Sequence, residues 1–303
     1  MTTLMTCMRT FAMVSSLLYG CAAAHHEPAV RGLPRDDPDA TLSVVWAGHA
    51  TVLIRLGHRF VLTDPNLNNG SLWIQPRVTP PSLTPGELPP VQLVVLSHLH
   101  IDHFDTWTLN RMPASTEVVF PPGADSYMSA IRQVTKESLP FWKSIERGGV
   151  KITAVPVMHA GGRYLVDAFW NKSFAGYVVE SQGKRIFFAG DTGYDKSAFR
   201  EIGRRFPNLD LALIPIAPAK GGNVNHADPS EALDIFRDVG ARYMIPIHFE
   251  AYASMAVPYE QPRAQLLAEA KKRHLEDRVF ALYTGERFIL PDSGDAPRVS
   301  RER

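Results

Sequence analysis

Three histidines and one aspartate stand within six consecutive residues, at His98, His100, Asp102 and His103. They directly follow residues 93–96, which are all apolar, as expected of a strand buried on both faces. Neutral imidazole and carboxylate groups are ligands that suit zinc. In an extended loop His98 and His100 can point the same way, while Asp102 and His103 turn toward a second position. We therefore expect one tight loop to serve two divalent metal ions.

Three further candidate ligands each stand at the tip of a predicted strand. His159 follows a strand over residues 151–157, Asp191 follows a strand over residues 185–189, and His248 directly follows a third strand. Because separate strands can converge on one site, we expect these side chains to meet the histidine-rich loop. The remaining histidines outside the leader and the site, expected to be solvated, are His25, His26, His58 and His274.

Taken in this order, the motifs resemble those of the metallo-β-lactamase superfamily, whose hallmark is an H-x-H-x-D-H loop. The resemblance implies two zinc ions held by seven side chains. Under it, the first metal is bound by His98, His100 and His159 and the second by Asp102, His103 and His248, while Asp191 bridges both. All seven positions are filled, which argues against a member that has lost its metals.

Within the superfamily, the resemblance is strongest to the N-acylphosphatidylethanolamine-hydrolysing phospholipase D group. It covers roughly residues 44–250 and is carried by the segments 46–53, 61–65, 187–194, 199–206 and 226–232. Two segments depart from the pattern of that group. Residues 160–162 replace an aromatic residue after the third metal-binding histidine, and residues 216–222 differ from an aromatic-containing loop. Both should border the substrate.

The resemblance also assigns roles to residues around the metals. Asp102 is expected to orient the hydroxide that the two metals share, and His226 to line the active site as a second catalytic residue. Asp64, at the end of a strand, is expected to orient a ligand imidazole from behind. His49 either does similar work or caps the turn at Gly48.

The predicted activity is that of a zinc-dependent phosphodiesterase of phospholipase D type, acting on N-acylphosphatidylethanolamine-like phospholipids. A hydroxide between two zinc ions would attack phosphorus, so no Ser, Cys or Thr nucleophile is needed. One alternative is a lactonase or another carbonyl hydrolase that uses the same two-metal site. A second is a non-catalytic surface lipoprotein that binds lipid.

Apolar side chains in two loop regions could form a mouth for acyl chains. These candidate substrate-binding residues are Leu72, Trp73, Tyr164, Phe169 and Trp170. The same regions could instead form a lid packed on the core or a contact between two copies of the chain. The sequence leaves the oligomeric state open.

The elements that must position these residues alternate between strands and helices. An antiparallel meander is predicted over residues 42–64, and a hairpin over residues 176–189. Helices are predicted over residues 126–134, 196–206, 228–240 and 262–274, and short strands over residues 279–283 and 287–290. An α/β fold with two mixed sheets packed face to face and helices outside, an αββα sandwich, fits best. The pattern alone does not exclude a three-layer α/β fold.

Residues 1–20 have the pattern of a signal peptide, with a basic residue at Arg9 and a short apolar stretch after it. The sequence just before Cys21 resembles a bacterial lipobox. Residues 21–40 would then be a lipidated N-terminus and flexible tether, which would hold an exported lipoprotein at a membrane surface, on the outer membrane or the periplasmic face. The alternatives are a plain signal peptide cut near residues 22–24, or a misannotated start.

Composition is that of one large globular domain, predicted over residues 41–290, which the resemblance implies is a metallo-β-lactamase-like hydrolase domain; a polar tail follows over residues 291–303. The chain has 32 Lys+Arg and 31 Asp+Glu, so its charge gives no reason to expect nucleic-acid binding. Its cysteines are Cys7 and Cys21, so the predicted domain has no thiol for a disulfide or a nucleophile. Beyond the leader no apolar run reaches the ~18 residues of a membrane span.

Overall fold

The computed structural model describes residues 26–70, 77–132, 134–163, 167, 170–217, 225–253 and 258–303. The predicted signal peptide and the predicted lipidation site at Cys21 lie outside these residues. Among the described helices, none has both the length and the apolar character needed to cross a membrane.

Eight strands form the first sheet. They are β1 (Leu42–Gly48), β2 (Thr51–Leu56), β3 (Arg59–Thr63), β4 (Leu93–Val95), β5 (Glu117–Phe120), β6 (Thr135–Ser138), β13 (Arg287–Leu290) and β14 (Arg298–Ser300). Their order across the sheet is β14-β13-β1-β2-β3-β4-β5-β6. Strands β1 to β3 pair antiparallel, which confirms the predicted meander, whereas β3 to β6 run parallel.

Six strands form the second sheet. They are β7 (Ser144–Arg147), β8 (Val150–Val155), β9 (Gly176–Ser181), β10 (Lys184–Phe188), β11 (Leu211–Pro215) and β12 (Tyr243–Ile247). Their order is β12-β11-β10-β9-β8-β7. Strands β9 and β10 form the predicted hairpin, and β10, β11 and β12 run parallel.

Five α-helices complete the described structure: α1 (Thr106–Leu109), α2 (Asp125–Met128), α3 (Lys196–Arg205), α4 (Pro229–Val239) and α5 (Gln261–Lys272). The start of α4 is set by a capping box, in which Asp228 accepts from the backbone of Glu231 and the Glu231 side chain accepts from the backbone of Asp228. Gly240, with φ 68°, ends this helix in the left-handed conformation that glycine adopts without strain.

The first sheet is buried on both of its faces. Along β1, Val44 and Trp46 belong to one buried cluster that spans both sheets, whereas Val45 and Ala47 belong to a second cluster on the opposite face of the first sheet. All four are fully buried, and each such side chain contributes about 25 cal/mol per Å² of apolar surface removed from water. The predicted αββα sandwich of two mixed sheets is confirmed.

Two predicted elements are shorter than expected. The helix predicted over residues 126–134 is the single turn α2, after which the backbone forms i→i+3 turns at Ala130 and Ile131 and continues into β6. The strand predicted over residues 279–283 forms only an isolated bridge between Val279 and Met244. Its backbone turns back on itself farther along, where the Leu282 amide donates to the Phe280 carbonyl.

The segments predicted as a flexible tether and a polar tail contact the domain where they are described. Arg55 of β2 pairs with Asp36 at 2.7 Å and also donates to the Ala40 carbonyl at 2.6 Å, and Val30 is only 6% exposed. Near the C-terminus, β14 adds to the sheet beside β13. Residues in the described part of the predicted tether are therefore held against the domain, because an acidic side chain and a carbonyl there bind an arginine of the sheet.

Candidate metal centre

The seven predicted ligands stand at the carboxyl ends of strands. The loop 98–103 follows β4, His159 follows β8, Asp191 follows β10, and His248 follows β12. Gly190 allows the loop after β10 to approach the loop after β4, since a Cβ atom at this position would lie 2.3 Å from the Cβ of Ser97. Its φ of +60° is also one that L side chains rarely adopt.

His98, His100 and His159 form the first cluster. Each offers one nitrogen, and these nitrogens lie within 4.8 Å of one another. The His159 Nε2 is 3.3 Å from the His100 Nδ1, and the ring centre of His98 is 4.4 Å and 4.5 Å from those of His100 and His159. The structure therefore brings together the three side chains predicted for the first metal.

Asp102, His103 and His248 form the second cluster, together with His49. The His248 Nε2 is 3.6 Å from the Asp102 Oδ2 and 3.0 Å from the Asp191 Oδ2. The His103 Nε2 is 3.7 Å from the Asp102 Oδ2 and 3.3 Å from the Asp191 Oδ2. The three side chains predicted for the second metal are thus also together, with Asp191 beside them.

Hydrogen bonds at Nδ1 fix three of these imidazoles so that Nε2 faces the centre. His159 donates to the Asn225 carbonyl at 2.8 Å, and His248 donates to the Ala217 carbonyl. His103 donates to the Asp64 carboxylate at 2.7 Å. Partners of this kind set the tautomer and ring orientation of metal-binding histidines.

Several polar atoms that face the centre are buried without a hydrogen bond of ordinary geometry in the described residues. They are the Nε2 atoms of His98, His103 and His248, the Oδ1 of Asp191 and the Nδ1 of His226. Each unsatisfied buried polar group costs about 1–3 kcal/mol. Divalent cations would satisfy them together, and imidazole with carboxylate is a donor set that zinc prefers. The residues present therefore fit a metal centre.

The electrostatics of the site agree with this donor set. Burial lowers the pKa of His159 to about 3, against the opposing effect of Asp191, so its imidazole is neutral and able to bind a metal. Burial also acts to lower the pKa of His248, but the carboxylates of Asp191 and Asp102 outweigh it and raise that pKa to about 9. The buried carboxylate of Asp191 and the partly buried one of Asp102 thus draw positive charge into the centre.

Asp64 stands behind both clusters. Its fully buried carboxylate accepts from the backbone and hydroxyl of Ser97 and from His103. The Ser97 hydroxyl in turn contacts the Nδ1 of His98 at 2.8 Å. Asp64 therefore orients one imidazole of the second cluster directly and one of the first through Ser97, in the place that the sequence predicted for it.

His49 takes the first of the two arrangements that the sequence left open, since its side chain contacts a predicted ligand. Its Nε2 lies 3.0 Å from the Asp102 Oδ2, so it can orient that carboxylate. Its backbone has a φ of 56° in the turn after β1. Its carbonyl accepts from the His248 amide at 2.9 Å and from the Trp46 indole at 2.8 Å.

His226 lies at the edge of the centre, just before α4. Its Nδ1 is 3.6 Å from the Asp191 Oδ2, and its side chain is 21% exposed. The ring centre is 5.2 Å from that of His159 and 5.6 Å from that of His248. The structure therefore places His226 beside the predicted ligands rather than on the outer surface.

The centre opens into a cavity of about 220 Å³, lined by His49, His100, Asp102, Asp191, Ala217, His226, His248, Phe249, Glu250, Ala251, Tyr252, Pro258, Tyr259 and Pro262. Of the predicted substrate-binding residues, Leu72, Trp73, Tyr164 and Phe169 lie outside the described residues. Trp170 is 69% exposed and does not line this cavity. The predicted apolar mouth stays a prediction.

Sequence reasoning missed three residues around the centre. Ser97 precedes the histidine-rich loop directly, so its place at the strand end was the available signal. Asn66 donates to the Asp102 carbonyl at 2.9 Å and to the Tyr252 hydroxyl at 3.0 Å. No motif marks Asn66 or Tyr252, because loops distant in sequence bring them together.

Comparisons with known proteins identify the family of this chain. Residues 59–249 match the model of the beta-lactamase superfamily domain. A Caenorhabditis elegans protein named N-acyl-phosphatidylethanolamine-hydrolyzing phospholipase D 1 is 31% identical over 83% of this chain and 77% of its own length. A Methanoregula boonei protein named as a metal-dependent hydrolase is 30% identical over 83% of this chain and 100% of its own length.

An uncharacterized Mycobacterium bovis protein is 30% identical over 77% of this chain, but the match spans only 65% of that relative's length. Among solved structures, a possible metal-dependent hydrolase from Veillonella parvula has a TM-score of 0.68 at 18% identity, over 83% of this chain and 100% of that one. An isothiocyanate hydrolase from Delia radicum gut bacteria has a TM-score of 0.66 at 18% identity, over 82% and 99%. These two show a shared fold. With the family model and the relatives at 30% identity or more, the chain belongs to the metallo-β-lactamase superfamily.

Proposed function

We propose that this protein is a phosphodiesterase of phospholipase D type, which hydrolyses N-acylphosphatidylethanolamine-like phospholipids. The observation that carries the proposal is the relative of that activity in Caenorhabditis elegans, similar over 83% of this chain, combined with a complete His/Asp cluster at the base of one cavity. Phosphodiester hydrolysis needs positive charge near the phosphoryl oxygens, and a site built to hold divalent cations supports it.

The proposed cofactor is a pair of zinc ions. His98, His100 and His159 would hold one, Asp102, His103 and His248 the other, and Asp191 would lie between them. Zinc bound there supplies Lewis acidity and lowers the pKa of water toward ~7. Asp64 and His49 then fix the orientation of the ligands, since both bond to ligand side chains.

The polar side chains of the cavity act on the substrate itself. His226 has a buried Nδ1 that makes no hydrogen bond with the described residues and a partly exposed ring, so it can contact a phosphoryl oxygen or the leaving group. Asp102 is held by His49 through Oδ2, which leaves its other oxygen to orient the attacking water. Phe249, 3% exposed, limits access of bulk water from one side.

The size of the cavity supports a lipid that is only partly inserted. About 220 Å³ is less than the ~300–1,000 Å³ of pockets that enclose a drug-sized ligand. A phosphodiester and the adjoining part of its headgroup would enter, while the acyl chains stay outside. We therefore expect the acyl chains of the substrate to stay in a membrane while its phosphodiester enters the cavity.

Export and lipidation at Cys21 remain part of this proposal. A diacylated N-terminus would hold the protein at the surface that contains the substrate. The check is the mass of the N-terminal peptide from the membrane fraction, together with release of the protein in a Cys21→Ser variant. An unmodified N-terminus in the wild type would contradict the anchor without touching the proposed chemistry.

The activity is tested with the purified, metal-loaded chain and vesicles that contain N-acylphosphatidylethanolamine. The expected products are phosphatidic acid and the N-acylethanolamine, identified by mass spectrometry. A panel of lactones and β-lactams is run in parallel. Turnover of lactones without any cleavage of phosphodiesters would assign the site to a carbonyl hydrolase instead.

A further inference from the structure

A buried arginine lies next to the active-site cavity, and the proposed function gives this cation no role. Arg77 is 4% exposed, and among the described residues its guanidinium donates only to uncharged groups, namely the carbonyls of Thr79 and Asn66 and the hydroxyl of Tyr252. Its Nε has no partner there. The residues outside the described ranges include no Asp or Glu, so they offer no carboxylate. A buried charge without a counterion is costly, which calls for a reason.

Tyr252 connects this cation to the cavity. It lines the cavity together with His49 and Asp102, and its ring centre is 4.9 Å from that of His49. The Cζ of Arg77 lies 4.6 Å from the ring centre of Tyr252. The positive charge therefore stands directly behind a residue of the cavity wall, close to the metal centre.

The hydroxyl of Tyr252 can donate a hydrogen bond to a ligand but has no acceptor capacity left in the described structure. Its oxygen accepts from the Arg77 Nη2 at 2.9 Å and from the Asn66 Nδ2 at 3.0 Å. These two donors use its acceptor capacity, and none of the hydrogen bonds of the described residues uses its proton. Burial raises the pKa of Tyr252 to about 12, so this hydroxyl keeps its proton at neutral pH.

We propose that Tyr252 and Arg77 make the cavity selective for an anionic substrate. Tyr252 donates its proton to a non-bridging phosphoryl oxygen, and the charge of Arg77 behind it stabilises that oxygen. The inference rests on the proposed phosphodiesterase function and adds the ionic form of the substrate. A monoanionic phosphodiester is preferred over a neutral ester of the same shape, because hydrogen bonds to charged acceptors are roughly twice as strong as neutral ones.

The test uses two substrates that differ by one charge: bis(4-nitrophenyl) phosphate and its neutral methyl ester. In the metal-loaded full chain, Tyr252→Phe should lower kcat/KM for the anionic diester about tenfold and for the triester far less. The matched control is Tyr259→Phe. Tyr259 lines the same cavity, but its hydroxyl already donates to the Glu250 carbonyl, so the ratio of the two activities should stay at the wild-type value.

Two substitutions of Arg77 test whether the positive charge of its side chain, and not its size, gives the preference for the anionic diester. Arg77→Lys keeps the charge and should retain most of the preference for the diester, whereas Arg77→Met should lose it. Since Arg77→Met removes a buried network, its melting curve and metal content are compared with those of the wild type. If Arg77→Met does not fold, Tyr252→Phe, which keeps the ring and the charge behind it, still decides the question.

A binding measurement distinguishes failure of this inference from failure of the proposed function. Titration calorimetry compares dibutyl phosphate with tributyl phosphate, in the wild type and in Tyr252→Phe. If the wild type cleaves no diester, the proposed function is contradicted. The selectivity is still supported if the wild type binds the dibutyl anion more tightly than the neutral ester and Tyr252→Phe lowers that preference about tenfold. Equal losses for the charged and neutral ligands, or the same loss in Tyr259→Phe, would overturn it.

Discussion

At the scale of single residues, metal binding at the centre depends on the orientation of its imidazoles as much as on the identity of the ligands. Asp64 orients His103 directly and His98 through Ser97, so one carboxylate supports a ligand in each cluster. His49 holds Asp102 in the same way from the other side. These contacts fix the tautomer and direction of the ligands before any metal binds.

Loss of a ligand should remove metal and turnover together. Asp191→Asn and His100→Ala are expected to lower the bound metal per chain and to reduce phosphodiester hydrolysis at least 1,000-fold, roughly the effect of losing a main source of charge stabilisation. Metal content is measured by plasma emission and turnover on the same samples. His274→Ala, an exposed histidine, is the control and should match the wild type. Full hydrolysis by a metal-free Asp191→Asn sample would refute the assigned role.

Loss of the supporting carboxylate should weaken the metals without removing a ligand. Asp64→Asn is expected to lower metal affinity by about 10–100-fold, the usual effect of removing such a partner. Competition with a chromophoric chelator measures it, and Asp125→Asn, at an exposed position, is the matched control. Unchanged affinity in Asp64→Asn would mean that His98 and His103 keep their orientation without it.

The identity of the ligands could be predicted from the sequence because each stands at a fixed offset after an apolar strand. The network of Asn66, Arg77 and Tyr252 could not. Its members lie in three loops, and their contacts arise only when β3 and β12 bring those loops together. Residue types alone gave no sign that Arg77 would be buried without a counterion.

At the scale of elements, the site depends on the close approach of two loops that belong to different sheets. Gly190 follows β10 of the second sheet, and Ser97 follows β4 of the first. A side chain at Gly190 would collide with Ser97, so the separation of the two sheets at this end is set by the absence of a Cβ atom. Two ligand-bearing loops can then share one centre.

Gly190→Ala should therefore destabilise the fold and disturb the centre. The positive φ costs about 1–2 kcal/mol, and forcing an extra group into a packed site costs about 1–3 kcal/mol more. The free energy of unfolding is measured by urea denaturation. Gly183→Ala is the matched control and should lose only the first contribution. Gly183 also has a positive φ of +75°, but no atom of the described residues lies within 4 Å of an added Cβ. Equal losses in the two variants would contradict the close-approach argument.

The meander, the β9–β10 hairpin and the capped start of α4 were predictable from local patterns, because turn residues and capping residues act over a few positions. The packing of residues 26–40 was not. Their proline and aspartate content is typical of a linker, yet Asp36 and the Ala40 carbonyl bind Arg55 of β2. These residues pack on the domain because their polar groups bind an arginine that is distant in sequence.

At the scale of the whole molecule, metal binding and folding should be coupled. Four loops distant in sequence bring buried or partly buried imidazoles and carboxylates into one centre, and cations that bind only the folded chain stabilise it. At a free metal concentration 1,000 times the dissociation constant, this amounts to about 4 kcal/mol, or a rise in Tm of roughly 10 °C for a chain of this size.

Removal of metal with a chelator is therefore expected to lower the Tm of the wild type by about 10 °C. Scanning calorimetry before and after dialysis against the chelator measures the change. His100→Ala should respond less, because one of its clusters is incomplete. A wild-type Tm that does not move on chelation would contradict the coupling.

We propose that two metal ions bind between the ends of the two sheets. Crystals grown with zinc and measured on either side of the zinc absorption edge test it most directly. Two anomalous peaks are expected, one bound by His98, His100 and His159, the other by Asp102, His103 and His248, with Asp191 between them. A map without peaks at this cluster, or with peaks only elsewhere on the protein, would contradict the account.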